Sequence, residues 1–95
     1  MTVKIFIKRR IPEEKRSELL PLLIQLRKKA TSQPGYISGE TFQNYNDPES
    51  YLVIGTWQSV EKWMSWYNNQ ERKEIQDRID RLLPESTQYE IFQWK

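Results

Sequence analysis

Val3, Ile5 and Ile7 alternate with Lys4, Phe6 and Lys8, and this period of two predicts a strand from about Thr2 to Ile11. Pro12 followed by Glu13 and Glu14 predicts a helix opening, with proline in the first turn and acids at the positive end of the helix dipole. Leu19, Leu23, Leu26 and Ala30 then share one helical face, which Leu22 widens. Pro21 falls inside that stripe, so the helix either kinks there or starts near Ser17. It ends before the turn Ser32-Gln33-Pro34-Gly35.

Tyr36 to Asn46 alternates again, with Ile37, Gly39, Thr41, Gln43 and Tyr45 on one side and Tyr36, Ser38, Glu40, Phe42 and Asn44 on the other. Asn46-Asp47-Pro48-Glu49-Ser50 predicts a hairpin turn, and Tyr51 to Trp57 a nearly unbroken apolar strand covered on both faces. Ser59 caps a helix carrying Trp63, Trp66 and Tyr67. Asn68 and Asn69 interrupt it, Ile75, Ile79 and Leu82 give a second stripe, and Pro84 stops that stripe. Thr87 to Trp94 is a closing strand, with Tyr89 and Ile91 opposite Phe92 and Trp94.

The order is β-α-β-β-α-β with a split second helix. It predicts an α+β, ferredoxin-like antiparallel sheet with its helices on one face, formed by residues 1–95 as a single domain. Such a sheet should leave its other face polar. Here Phe6, Phe42, Leu52, Ile54, Phe92 and Trp94 form one parity class, while Ile7, Ile37, Val53, Trp57 and Ile91 fall largely in the other. Both faces are therefore apolar, and a homodimer packed sheet to sheet would cover the spare one.

Composition narrows the chemistry. The chain has no Cys and no His, so disulfides, Cys/His zinc sites, Ser-His-Asp and Cys-His nucleophiles and a haem iron held by His or thiolate are all excluded. Acid–base work falls to carboxylates, Lys, Tyr or a bound cofactor. The net charge of +2 is nearly balanced, and the basic group Lys8-Arg9-Arg10 is too small to predict nucleic-acid binding. The RRM shares this element order, yet Tyr51 to Trp57 lacks its basic-Gly-aromatic signature. The longest apolar run, Leu19 to Ile24, contains Pro21 and is too short to span a bilayer. Met1 opens directly into the first strand pattern without the regions of a signal peptide, so a soluble, cytoplasmic protein is expected.

Gln33-Pro34-Gly35-Tyr36-Ile37, then Tyr51-Leu52-Val53-Ile54-Gly55-Thr56-Trp57, then Ser59 to Trp66 with its pair of Trp residues one turn apart, resemble the antibiotic biosynthesis monooxygenase domain of the dimeric α+β barrel superfamily. The resemblance spans nearly the whole chain and rests on order and spacing together. It implies a homodimer whose sheets pack face to face into a barrel, each subunit holding a pocket between its own helices and sheet. Members include cofactor-free oxygenases of anthrone, quinol or polyphenol rings, and a branch that binds and degrades haem. The haem branch carries Asn on the first strand, Trp on the helix after the third strand and His further along. Trp66 matches the Trp, but Arg9 stands at the Asn position and Gln76 at the His position, which argues against haem. What the resemblance implies is a cofactor-independent monooxygenase of a small aromatic, quinol-like substrate, with a non-catalytic barrel that binds a small molecule, or serves as an interaction module, as the alternative.

Candidate site residues follow. Arg9, Trp66 and Tyr67 are candidates for the chemistry. Trp63, Trp66, Tyr67 and Gln76 are candidates for substrate binding: the rings contact an aromatic substrate, Arg9 favours a phenolate, and a Tyr hydroxyl holds the proton. Each also has a plainer role. An aromatic stripe at this spacing is more often core, Arg9 suits a strand end in solvent or against a helix carboxylate, and Gln76 suits a helix surface. Glu71-Arg72-Lys73-Glu74 and Asp77-Arg78-Asp80-Arg81 suit an exposed helix face.

Overall fold

In a computed structural model covering Met1–Lys95, the chain runs β1 (Val3–Arg10), α1 (Arg16–Thr31), β2 (Tyr36–Asn44), β3 (Asp47–Trp57), α2 (Val60–Tyr67), α3 (Gln70–Leu82) and β4 (Gln88–Gln93), with one 3-10 turn at Glu13–Lys15. The four strands form one antiparallel sheet in the order β2-β3-β1-β4, the ferredoxin-like α+β arrangement that the alternation predicts. α1 starts at Arg16, within a residue of Ser17, and runs unbroken through Pro21, whose missing N–H leaves the Ser17 carbonyl without its helical partner. Ser59 Oγ accepts the backbone N–H of Lys62 and Asn69 Oδ1 that of Arg72, so the break at Asn68-Asn69 starts a second capped helix. Gly35 turns the chain at φ +90°, and a Cβ there would lie 2.5 Å from Lys62 Cβ, so only glycine fits.

The strands correct the sequence pattern in two places. The predicted turn Asn46–Ser50 shrinks to Tyr45-Asn46, because Asn44 Oδ1 accepts the N–H groups of Asn46 and Asp47. Asp47 to Ser50 extend β3 instead, held by Arg10 on Asp47 and by the Ile11 N–H on the Glu49 carbonyl at 2.8 Å. Pro48 is tolerated because the β2–β3 register is irregular between Gln43 and Asn44. A second irregularity sets Tyr36 opposite Trp57 and Ser38 opposite Thr56. Ile37 is the extra residue, and Tyr36 thereby joins the Gly39–Thr41 side rather than the opposite one.

Val3, Ile5, Trp57, Trp63 and Trp66 make one buried cluster between sheet and helices, and Ile11, Leu19, Ile75 and Ile79 make another. The outward parity carries Phe6, Phe42, Leu52, Ile54 and Phe92, with Phe42 and Phe92 46% and 49% exposed and the Phe6 and Phe92 rings 4.7 Å apart. The face under the helices is apolar, and the uncovered one carries this apolar strip among charged side chains, with Lys8 Nζ 3.3 Å from Glu90 and Lys4 Nζ donating to Thr56 Oγ1.

Candidate functional site

A cavity of about 420 Å³ lies between the sheet and α1, within the range usual for small-molecule sites. Its floor is set by strand pairing. Arg9 lies beside Tyr51, Ile7 beside Val53, and Ile5 beside Gly55; across β3, Thr41 pairs with Val53, Gly39 with Gly55 and Tyr36 with Trp57. Gly39 and Gly55 thus place two residues without side chains next to each other in the cavity lining. A Cβ on Gly55 would meet only the Trp57 ring, with Nε1 at 3.4 Å, and one on Gly39 would crowd the Tyr36 hydroxyl at 2.8 Å. Leu20, Leu23, Ile24 and Leu26 of α1 form the roof, Trp63 and Trp66 one wall, and Arg72, Gln76 and Tyr89 another. Leu20 and Ile24 are 53% and 59% exposed, an apolar mouth beside Arg16 and Arg27. Arg27 ties α1 to the edge strand, with Nη2 donating to the Gly39 carbonyl at 2.6 Å.

The inner end of the cavity is polar and tightly bonded. Arg9 Nη2 donates to Gln76 Oε1 at 3.1 Å. The Gln76 amide nitrogen donates to Asp80 Oδ1 at 2.9 Å and to Thr87 Oγ1 at 3.0 Å, and the Thr87 hydroxyl donates to the same carboxylate at 3.1 Å. This network fixes the amide orientation of Gln76, with its oxygen toward Arg9. Arg9 Nε is the one buried side-chain polar atom without a partner. Burial pushes the guanidinium below its ordinary pKa, opposed by Tyr89 and Asp80 and aided by Arg72, although an arginine keeps its charge. Arg72 is better satisfied: Nη1 donates to the Tyr67 carbonyl at 2.9 Å, Nη2 to the Tyr89 hydroxyl at 2.5 Å, and its guanidinium lies 4.4 Å from the Tyr67 ring centre. Burial raises the Tyr89 phenol above its ordinary value, against the pull of Arg72 and Arg9.

Of the residues proposed from sequence, Arg9, Trp63, Trp66 and Gln76 border the cavity. Tyr67 does not; it stands behind the wall, 5.9 Å from Trp63 and 5.3 Å from Tyr89 between ring centres. Trp63 and Trp66 serve both roles considered for them, being buried in the core and facing the cavity. The plainer roles for three polar residues are corrected. Arg9, Arg72 and Gln76 are 8%, 5% and 6% exposed, because each has buried hydrogen-bond partners and Arg72 lies over aromatic faces. Arg72, Tyr89, Tyr51, Tyr36 and the glycine pair were missed. Arg72 was within reach of the pattern, since residues 72, 75, 76 and 79 share one helical face.

These residues do not fit haem. A guanidinium has no lone pair for a metal, and Gln76 spends its oxygen on Arg9 and its nitrogen on Asp80 and Thr87. No group of three or more Asp or Glu side chains is arranged to hold a metal ion, and no helix is long and apolar enough to cross a membrane.

The sequence pattern of the antibiotic biosynthesis monooxygenase family matches residues 2–78. A conserved protein from Methanosarcina mazei Go1 superposes with a TM-score of 0.91 at 20% identity, over 100% of this chain and 94% of that one. SnoaB, a cofactor-independent oxygenase from Streptomyces nogalater, in a mutant form, gives 0.86 at 12% identity over 99% and 93%. A Mycobacterium tuberculosis protein gives 0.86 at 12% identity over 100% and 96%. At such identities these structures establish the shared fold. No curated protein matches the chain.

Proposed function

Because the chain belongs to the antibiotic biosynthesis monooxygenase family, we propose that it is a cofactor-independent oxygenase of a small aromatic, quinol-like substrate held between sheet and helices. The observation that carries this reading is the open cavity, mostly apolar, with the guanidinium of Arg9 at its inner end. A structural neighbour from Streptomyces nogalater is a cofactor-independent oxygenase, and a chain without His or Cys suits chemistry carried by the substrate itself.

An anthrone or related ring gives up a proton to water at the cavity mouth and leaves a delocalised anion. That anion passes an electron to dioxygen, the radical pair joins as a peroxide, and loss of water leaves a carbonyl. A CH2 carbon and O2 thus become C=O and H2O, with no external reductant. The protein binds the ring, favours the anion and keeps water out. Trp63 and Trp66 give the ring contact, Arg9 favours the anion, and Gln76 orients Arg9. Tyr89, whose oxygen takes one hydrogen bond from Arg72, keeps its own proton available for the departing oxygen. Tyr67 backs Trp63 and Arg72 and acts through them. The test is oxygen uptake by the purified chain with anthrones and naphthols and no added metal. Uptake should exceed the buffer blank and stop in Gly55→Leu, which fills the floor. No uptake across the panel, with the rings still bound, would leave the chain a binding protein.

The same reading makes residues 1–95 one domain, working in the cytoplasm as a homodimer without nucleic acid. The uncovered face centred on Phe6, Leu52 and Ile54 meets its copy. A solution mass of two chains at micromolar concentration is expected, and a single-chain mass would refute the sheet-to-sheet pairing.

A further inference from the structure

The charge around the cavity does not balance. Arg9, Arg16, Arg27 and Arg72 border it, and no Asp or Glu does. At the inner end, neither buried guanidinium touches a carboxylate: Asp80 reaches Arg9 only through the Gln76 amide, and Arg72 bonds to the Tyr67 carbonyl and the Tyr89 hydroxyl. One positive charge is left over in a site where an unpaired charge is costly. The leftover has a direction: Nε of Arg9 is sealed by its neighbours without an acceptor and Nη2 is held by Gln76, so Nη1, which makes no hydrogen bond, is the donor left to the cavity. The opposite end, by contrast, presents the rings of Tyr36, Trp57 and Trp63.

We propose that the cavity takes a planar aromatic ligand that is already a monoanion when it binds, its carboxylate or enolate oxygen accepting the Nη1–H of Arg9 while its rings lie toward Trp57 and Trp63. The proposal rests on reading the cavity as a ligand site and adds that the ligand's charge, beyond its rings, is recognised. Gln76 cannot supply this charge, because its oxygen is a neutral acceptor already engaged with Nη2. The ligand's anion therefore supplies the missing acceptor and the missing charge together, and charge-assisted bonds are the stronger kind. Arg16 and Arg27 at the mouth draw anions in from solution, and that pull is screened by salt, whereas a buried pair is screened much less.

Two matched pairs of probes test it, with dissociation constants measured by titration at low and high salt. The first pair is 2-naphthoate and its neutral amide, 2-naphthamide. The second is 2-hydroxy-1,4-naphthoquinone, an anion at neutral pH, and its neutral ether, 2-methoxy-1,4-naphthoquinone. At least one anion should bind tighter than its neutral partner by roughly tenfold or more, should keep that margin at high salt and should lose it in Arg9→Met. Which pair shows the margin tells carboxylate from enolate. Neutral probes that bind as well as the anions would overturn the charge inference and leave the ligand site standing. Failure of all four to bind would remove both. A margin that vanishes in salt would move the attraction to the mouth and overturn the assignment to Arg9. These comparisons use the unaltered protein, so they hold even if Arg9→Met folds poorly.

Discussion

At the end of the interior where Trp57 lies, rings pack on rings. Tyr36 meets Trp57 edge-on at 5.4 Å, Trp57 meets Trp63 at 5.7 Å, and Trp63 meets Tyr67 and Tyr89 at 5.9 and 6.0 Å. At the other end, where Arg9 pairs with Tyr51, the chain invests in hydrogen bonds and leaves one donor over. The aromatic end buries large apolar surfaces that stabilise the fold by area alone. The arginine end adds little of that kind, and an unpaired buried N–H is destabilising. Stability and binding capacity thus sit at opposite ends of one cavity, and mutations should separate them.

The largest effect is expected at the ring end. Trp57→Ala removes a side chain that is 2% exposed and touches two other rings, and should lower unfolding free energy by about 3–5 kcal/mol. That is a large share of the 5–15 kcal/mol, roughly, that holds an ordinary domain together. Urea denaturation reads it directly, and a loss under about 1 kcal/mol would break the division of labour between the ends.

The next effect compares the two buried arginines. Arg72→Met removes the donors to the Tyr67 carbonyl and the Tyr89 hydroxyl and a cation over two rings, and should cost about 2–3 kcal/mol. Arg9→Met removes one bond to Gln76 but also an uncompensated charge, so the change should stay within about 1 kcal/mol in either direction. Equal losses in the two variants would mean that Arg9 is held as firmly as Arg72, which its unpaired Nε contradicts.

How much of this was written along the chain depends on the kind of feature. Alternation at Val3-Ile5-Ile7 and helical spacing at Ile75-Ile79 predict the elements and their order, because both are local and apolar. The family motifs place Trp66 and Arg9 on the right elements. The floor of the cavity is different: it is assembled from residues paired across three strands, Gly39 and Gly55 among them, and neither glycine alone signals a void. The bulge at Ile37 shifts Tyr36 to the inner face, and strict alternation cannot register one extra residue. Arg72 and Gln76 look like surface residues when scored for charge and polarity. Their burial depends on partners from other elements, Tyr89, Thr87 and Arg9, which no helical periodicity contains.

The smallest effect is expected where the two ends meet, at Tyr89. Its ring lies 5.3 Å from Tyr67 and 6.0 Å from Trp63, while its hydroxyl accepts from Arg72. The dry ring environment raises the phenol pKa and the two arginines lower it, and burial prevails. A phenol whose folded pKa lies above the ordinary value of about 10 contributes stability that is fully present below that value. The contribution is lost as pH rises through the folded pKa, because the unfolded chain releases the proton first. Tyr89→Phe should therefore flatten the alkaline fall in stability and delete one late step from the ultraviolet phenolate titration. Arg72→Met should move that step later still, since it removes a cation that favours the phenolate. A Tyr89 step below the ordinary value would instead mean that the arginine end governs this residue, and the boundary between the two ends would have to be drawn on the other side of its ring.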